Sequence, residues 1–191
     1  MTITIPLALS RIAQVSEQEL RFLNFYRASE LHGGLILGQV ARRTRDAVLS
    51  NDLLKHSAEE VEHARVWTET IIAVHGRVVP VRHTYQTRYA EAIGRPVGVL
   101  HVLALTQIFE RRVYRHFTEH LRRPDTHPAV QRALRQMLEE EKGHLSWVKQ
   151  WLDQQALVRG REVGDIMRRY AEVDRRVYDA LTLELGWRMA A

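Results

Sequence analysis

The sequence has no cysteine. That excludes disulfides, thiolate zinc sites and thiol catalysis from this chain. The absence fits a reducing compartment, and a cytoplasmic location is the expectation. Long hydrophobic runs are missing too: no stretch approaches the ~18 uncharged apolar residues of a membrane-crossing helix, so no membrane partner is expected. Residues 1–9 lack a basic region and hold only a short apolar run, so no secretory signal is expected. Proline falls to 5 residues, too few to interrupt long helices often. Lysine falls to 3 against 25 arginines, for a net charge of +5. The arginines are spread along the chain. Such a balance permits an acidic partner such as RNA. A solvated arginine-rich surface is the plainer account, no motif supports a nucleic acid, and none is expected.

What remains is helical. The 191 residues suit one domain with a core of its own. Residues 1–15 read as an irregular lead-in. Ser16 and Glu19 have capping-box spacing, and apolar residues at helical period follow, which predicts a helix over about 16–44. Asp46 is a candidate N-cap for a second helix over about 46–75, with Gly76 suited to its stop. The short join makes these two antiparallel neighbours. Residues 77–95 lack comparable periodicity and have the length of a crossover along a bundle, with room for a short helix from Tyr85 to Ile93. Pro96 suits a first helical position, which predicts a third long helix over about 96–121. Pro128 opens a fourth, over about 128–155. Gly160 separates it from an amphipathic fifth over about 161–186. The fold class is therefore all-α.

Within this frame one pattern occurs twice. Glu60-Val61-Glu62-His63 and Glu141-Lys142-Gly143-His144 are the two Glu-x-x-His segments of the chain. Glu30 precedes the first by thirty residues and Glu110 precedes the second by thirty-one, each in an apolar helical stretch. Residues three apart share a helix face, so each Glu-x-x-His pair can grip one ion. Glu30, Glu60, Glu110 and Glu141 fall near the midpoints of the four predicted helices, which puts six candidate ligands in one layer. A lone carboxylate in an apolar stripe costs several kcal/mol unless it is paired or neutralised. Four of them in one layer call for about two divalent cations. Glu59, Glu62, Glu139 and Glu140 read as solvated face residues.

A Glu from each of two helices plus Glu-x-x-His from each of two others resembles the ferritin-like di-iron carboxylate superfamily. The resemblance covers residues 16–155. It implies an antiparallel four-helix bundle with a long crossover between its second and third helices and an additional C-terminal helix. It implies that Glu30, Glu60 and His63 serve one metal and Glu110, Glu141 and His144 the other, with Glu60 and Glu141 bridging. The implied cofactor is two iron ions, or an Mn/Fe pair, and this donor set suits those metals better than a structural zinc. The expected function is a non-haem di-metal oxidoreductase that activates O2 to oxidise a small organic substrate, with an electron donor the sequence does not name. A ferroxidase or iron-handling protein is the alternative, and a tRNA-modifying hydroxylase a third. A homodimer is compatible with all three.

Around the ligands, Tyr26, His56, Gln107 and Tyr114 lie about one helical turn from a candidate and could support it, or pack as ordinary core. Rubrerythrins carry an extra glutamate at the position of Gln107, and classical ones also carry rubredoxin-like cysteines. This chain departs from both. Gly33 and Gly34 cost about 1 kcal/mol each in a helix. They read either as a close helix contact or as space beside the metals.

Overall fold

The computed structural model describes residues 15–186. The predicted lead-in lies outside them except for Val15. Six helices and no strand occur among the described residues: α1 (Glu17–Ala41), α2 (Ala47–Ala73), α3 (Tyr85–Ile93), α4 (Val99–Arg122), α5 (Pro128–Arg159) and α6 (Arg161–Leu185). Among the described residues, no helix is long and apolar enough to cross a membrane.

The caps explain most boundaries. Ser16 accepts from the Glu19 N–H and Asp46 from the Leu49 N–H, as their spacing predicts. α1 ends at Ala41, three residues early, because Arg43 and Thr44 turn their N–H groups to Val40 and Ala41. The stop of α2 differs in detail from expectation. His75, not Gly76, takes the left-handed conformation (φ 57°), and the Gly76 N–H bonds the Ile71 carbonyl at 2.8 Å. Gly76 also packs closely: a Cβ there would push the Leu20 side-chain end aside and lie 3.1 Å from the Ile71 carbonyl. α4 starts at Val99 rather than at Pro96, because Gly98 at φ 87° breaks the chain direction just before it. α5 runs four residues beyond expectation, and Gly160 alone joins it to α6.

α1 packs along α2 and α4 along α5, and α2 faces α5. α6 lies against α3, α4 and α5. The interior between these helices holds fully buried Leu23, Trp67, Leu103, Leu134 and Met137. Each such side chain is worth about 1.5–3 kcal/mol of burial.

Two contacts set the shape around the centre. At the crossing of α1 and α2, Ser57 Oγ donates to the Gly34 carbonyl at 2.7 Å, and a Cβ on Gly34 would lie 2.9 Å from the Ser57 carbonyl. On the other side, buried Asp174 of α6 accepts from Tyr85 (2.6 Å), Tyr89 (2.7 Å) and both Nε and Nη2 of Arg112 (2.9 and 2.6 Å). This carboxylate ties α3, α4 and α6 together, and its four donors offset the cost of burying it.

Candidate metal centre

All six candidate ligands are buried, His63 and Glu141 completely. α1 and α2 bring Glu30 and Glu60 into a shared hydrogen bond. α4 and α5 do the same with Glu110 and Glu141. His63 Nδ1 lies 3.5 Å from Glu141 Oε1. His144 Nδ1 lies 3.3 Å from Glu60 Oε1 and 3.2 Å from Glu141 Oε2. The contacts therefore cross between the two halves of the chain. Glu60, His63, Glu141 and His144 form one compact group able to hold a metal ion, and His56, Glu60, Glu110 and His144 form another. Glu30 belongs to neither group and touches the cluster through Glu60.

His56 is thus inside the cluster rather than behind it. Its Nε2 lies 3.1 Å from Glu60 and 3.3 Å from Glu110, and its ring stacks on His144 at 3.8 Å. Glu59, Glu60 and His63 each recur eighty-one residues later as Glu140, Glu141 and His144, but His56 maps onto Met137. The pseudo-symmetry is broken at that position, so the two halves of the cluster differ in donor number.

The outer ring nitrogens reveal what sequence reasoning missed. His63 Nε2 donates to Glu140 Oε2 at 2.8 Å, and His144 Nε2 donates to Glu59 Oε2 at 3.0 Å. Expected to be solvated, Glu59 and Glu140 are only about half exposed, at 41% and 43%, because one oxygen of each turns inward. A carboxylate accepting from Nε2 selects the tautomer whose Nδ1 lone pair faces the cluster, as in carboxylate–histidine–metal arrangements. The signal was available: both segments read Glu-Glu-x-x-His, and the first glutamate of each copy reaches the histidine of the other. Glu62 and Glu139 do stay on the outside, paired with Arg65 and Lys142.

The other candidates stand apart. Tyr26 bonds His116 at 2.7 Å and His120 at 3.1 Å, with no hydrogen bond to Glu30. Tyr114 is half-buried near Lys142 and makes no hydrogen bond to a candidate ligand among the described residues. Gln107 is buried with its Oε1 lacking a donor.

Electrostatics favour a cation here. Burial, followed by the neighbouring carboxylates, raises Glu60 and Glu141 well above the ordinary carboxylate range, and burial raises Glu30 as well. Burial opposes ionisation of Glu110 too, but hydrogen bonds from Glu141 and His56 outweigh it and hold Glu110 at about 2. Burial and the adjacent His56 lower His144 to about 4, so its ring is neutral near pH 7. His63 Nδ1 and Glu141 Oε1 are buried with no hydrogen-bond partner among the described residues. Orphaned acceptors aimed at one point, in a set of carboxylates and imidazoles, fit a divalent metal.

A cavity of about 700 Å³ reaches the cluster at Glu30, Glu60 and Glu110. It runs between α1 and α4 and also meets α3 and α6. Gly33 borders it; a Cβ there would lie 3.3 Å from Glu60 Oε2. Each reading of the glycine pair thus applies to one residue: Gly34 permits the helix contact and Gly33 leaves space beside the carboxylates. Comparison with family models, curated proteins and solved structures finds no match for this chain.

Proposed function

We propose that this chain is a ferritin-like protein with two metal ions, iron or an Mn/Fe pair, that uses O2 to oxidise a small organic substrate. One observation carries the reading. Two Glu-Glu-x-x-His segments meet in one buried cluster, each histidine offering Nδ1 inward and held by a glutamate of the other segment. Glu30, Glu60, His63, Glu110, Glu141 and His144 would hold the ions, with His56 a further donor on one side. Four glutamate charges offset two divalent cations. When bound, the ions supply the redox chemistry that reduces O2.

The chain's own residues do the rest. Glu59 and Glu140 keep the imidazoles oriented. Apolar Phe109 and Phe117, which line the cavity, keep water from the reacting face. That cavity favours an organic substrate over iron storage, as does the basic balance of the chain, since a mineral cage wants an acidic inner wall.

The test is anaerobic loading with Fe(II), elemental analysis, and then exposure to O2. The expected result is about two ions per chain, a stoichiometric absorption band, no growing mineral, and loss of metal in Glu60→Ala. Continuous mineral growth would favour the iron-handling alternative. Full metal content in Glu60→Ala would overturn the ligand assignment.

A further inference from the structure

The cavity beside the cluster carries more than its size. Its walls are chiefly apolar, with Leu37, Val40, Val102, Leu105, Phe109 and Phe117 among them. Three carboxylates, Glu30, Glu60 and Glu110, lie on one part of its lining. Of the three arginines that line it, Arg112 is neutralised by Asp174. Arg43 and Arg95 are exposed and make no ion pair among the described residues.

These two cations lie at one end. α1 and α4 run antiparallel, because Phe22 and Tyr26 near the start of α1 pack on His116 and His120 near the end of α4. Arg43, just past the end of α1, and Arg95, just before α4, therefore share the opposite end. Thirteen residues separate Glu30 from Arg43, about 20 Å along a helix axis at 1.5 Å per residue. The arginine stem leans back toward the helix start and shortens that span. The cavity is thus cationic at its rim, apolar along its length and carboxylate-lined part-way down.

We propose that this cavity binds an apolar monocarboxylic acid, with its carboxylate on Arg43 and Arg95 and its hydrocarbon body laid along α1 past Glu30, Glu60 and Glu110. The polarity dictates this orientation. An anionic head is attracted by two guanidinium groups that have no ion pair among the described residues and that bind carboxylates in a planar fork. A volume of about 700 Å³ is within the range of pockets that enclose such a ligand. Apolar surface makes up the larger part of the lining, so burial of an apolar body drives binding. The choice of substrate class rests on the oxidative reading above, but the binding itself does not need the metals.

The test is isothermal titration of metal-free full-length protein with dodecanoic acid, dodecanol and dodecylamine. The expected result is one-to-one binding of the acid, at least tenfold tighter than the alcohol, with the amine weakest. The double variant Arg43→Gln/Arg95→Gln, at exposed positions, should keep its helical circular dichroism and lose that tenfold preference while still binding the alcohol. Equal binding of acid and alcohol, or an acid affinity unchanged in the double variant, would overturn the proposal. Metal content, measured on the same samples, separates the two readings. Failure to load metal with acid binding intact removes the oxidative function and leaves the cavity assignment; the reverse removes the cavity assignment alone.

Discussion

Glu59 Oε2 and His144 Nε2 lie 3.0 Å apart across eighty-five residues of chain. The mirror contact joins Glu140 to His63 at 2.8 Å. Each glutamate stands immediately before the buried glutamate of its own helix and holds the histidine of the other. α2 and α5 are therefore strapped together on both sides of the cluster, and each strap fixes which ring nitrogen faces inward.

Removing a strap should loosen metal binding without unfolding the protein. Glu59→Ala or Glu140→Ala is expected to lower metal affinity about 10–100-fold. Both side chains are half exposed, so thermal stability of the metal-free protein should move little. Competition with a chromogenic chelator measures the first and a thermal melt the second. The glutamine variants, which can still accept from Nε2, should fall between alanine and wild type. Unchanged affinity in both alanine variants would return these glutamates to the solvated surface.

Without metal, the cluster holds protons instead. Glu60 and Glu141 have folded-state pKa values raised above the ordinary 4.5. A raised carboxylate pKa contributes stability that is fully present below 4.5 and is lost as pH rises through the folded value. The metal-free protein should therefore lose stability on this account from about pH 5 upward. The double variant Glu60→Gln/Glu141→Gln should lack that slope. Metal binding must displace the same protons, so affinity should rise with pH and titrations in two buffers should report proton release. Metal binding that released no protons would contradict shared protonation of these pairs.

Most of this architecture was legible in the sequence because helical period, caps and the repeated segment are local signals. Ser16, Asp46 and Pro128 mark true helix starts. Pro96 misled because proline is also at home just outside a helix, and Gly98 then resets the chain direction. The six buried glutamates and histidines were found from their spacing. Glu59 and Glu140 were missed because their partners lie on the other half of the chain. His56 is ambiguous in the sequence because one turn of helix allows either contact or mere proximity. The cavity was invisible for the same reason: Arg43 and Arg95 share a mouth only after α1 and α4 pack antiparallel.

The two adjacent glycines should respond differently to the same change. A Cβ on Gly34 meets the Ser57 carbonyl and Val61 Cγ2, each at 2.9 Å, so α1 and α2 must part. Such overpacking costs about 1–3 kcal/mol. That exceeds the gain of about 1 kcal/mol in helix propensity over the upper part of its range. Gly34→Ala should melt lower than wild type. A Cβ on Gly33 instead meets the Glu60 carboxylate at 3.3 Å and the Gln86 amide at 3.4 Å, side-chain ends that can give way. Gly33→Ala should keep its stability and bind metal more weakly. Equal melting temperatures for the two variants would mean that the helix crossing has slack at Gly34.

His116 makes the fold sensitive to acid. Its ring donates and accepts between two phenols, Tyr26 at 2.7 Å on Nε2 and Tyr178 at 2.8 Å on Nδ1. Burial, then the nearby His120 and Arg112, hold it down at about 3 against an ordinary 6.5. The folded state thus keeps the ring neutral where the unfolded chain would protonate it. The corresponding stability is fully present above pH 6.5 and is lost as pH falls toward 3. The loss amounts to a few kcal/mol, to order of magnitude. His116→Phe removes this contribution but takes the imidazole partner from buried Tyr178 and leaves Tyr26 with His120 alone, so it should be less stable than wild type at pH 7. Its melting temperature should then fall less steeply than that of wild type between pH 6.5 and 3. The proton-holding glutamates of the cluster contribute equally to both proteins, so the difference between the two curves isolates His116. Parallel curves would mean that the imidazole is already charged inside the folded protein, with Tyr26 and Tyr178 both accepting from it.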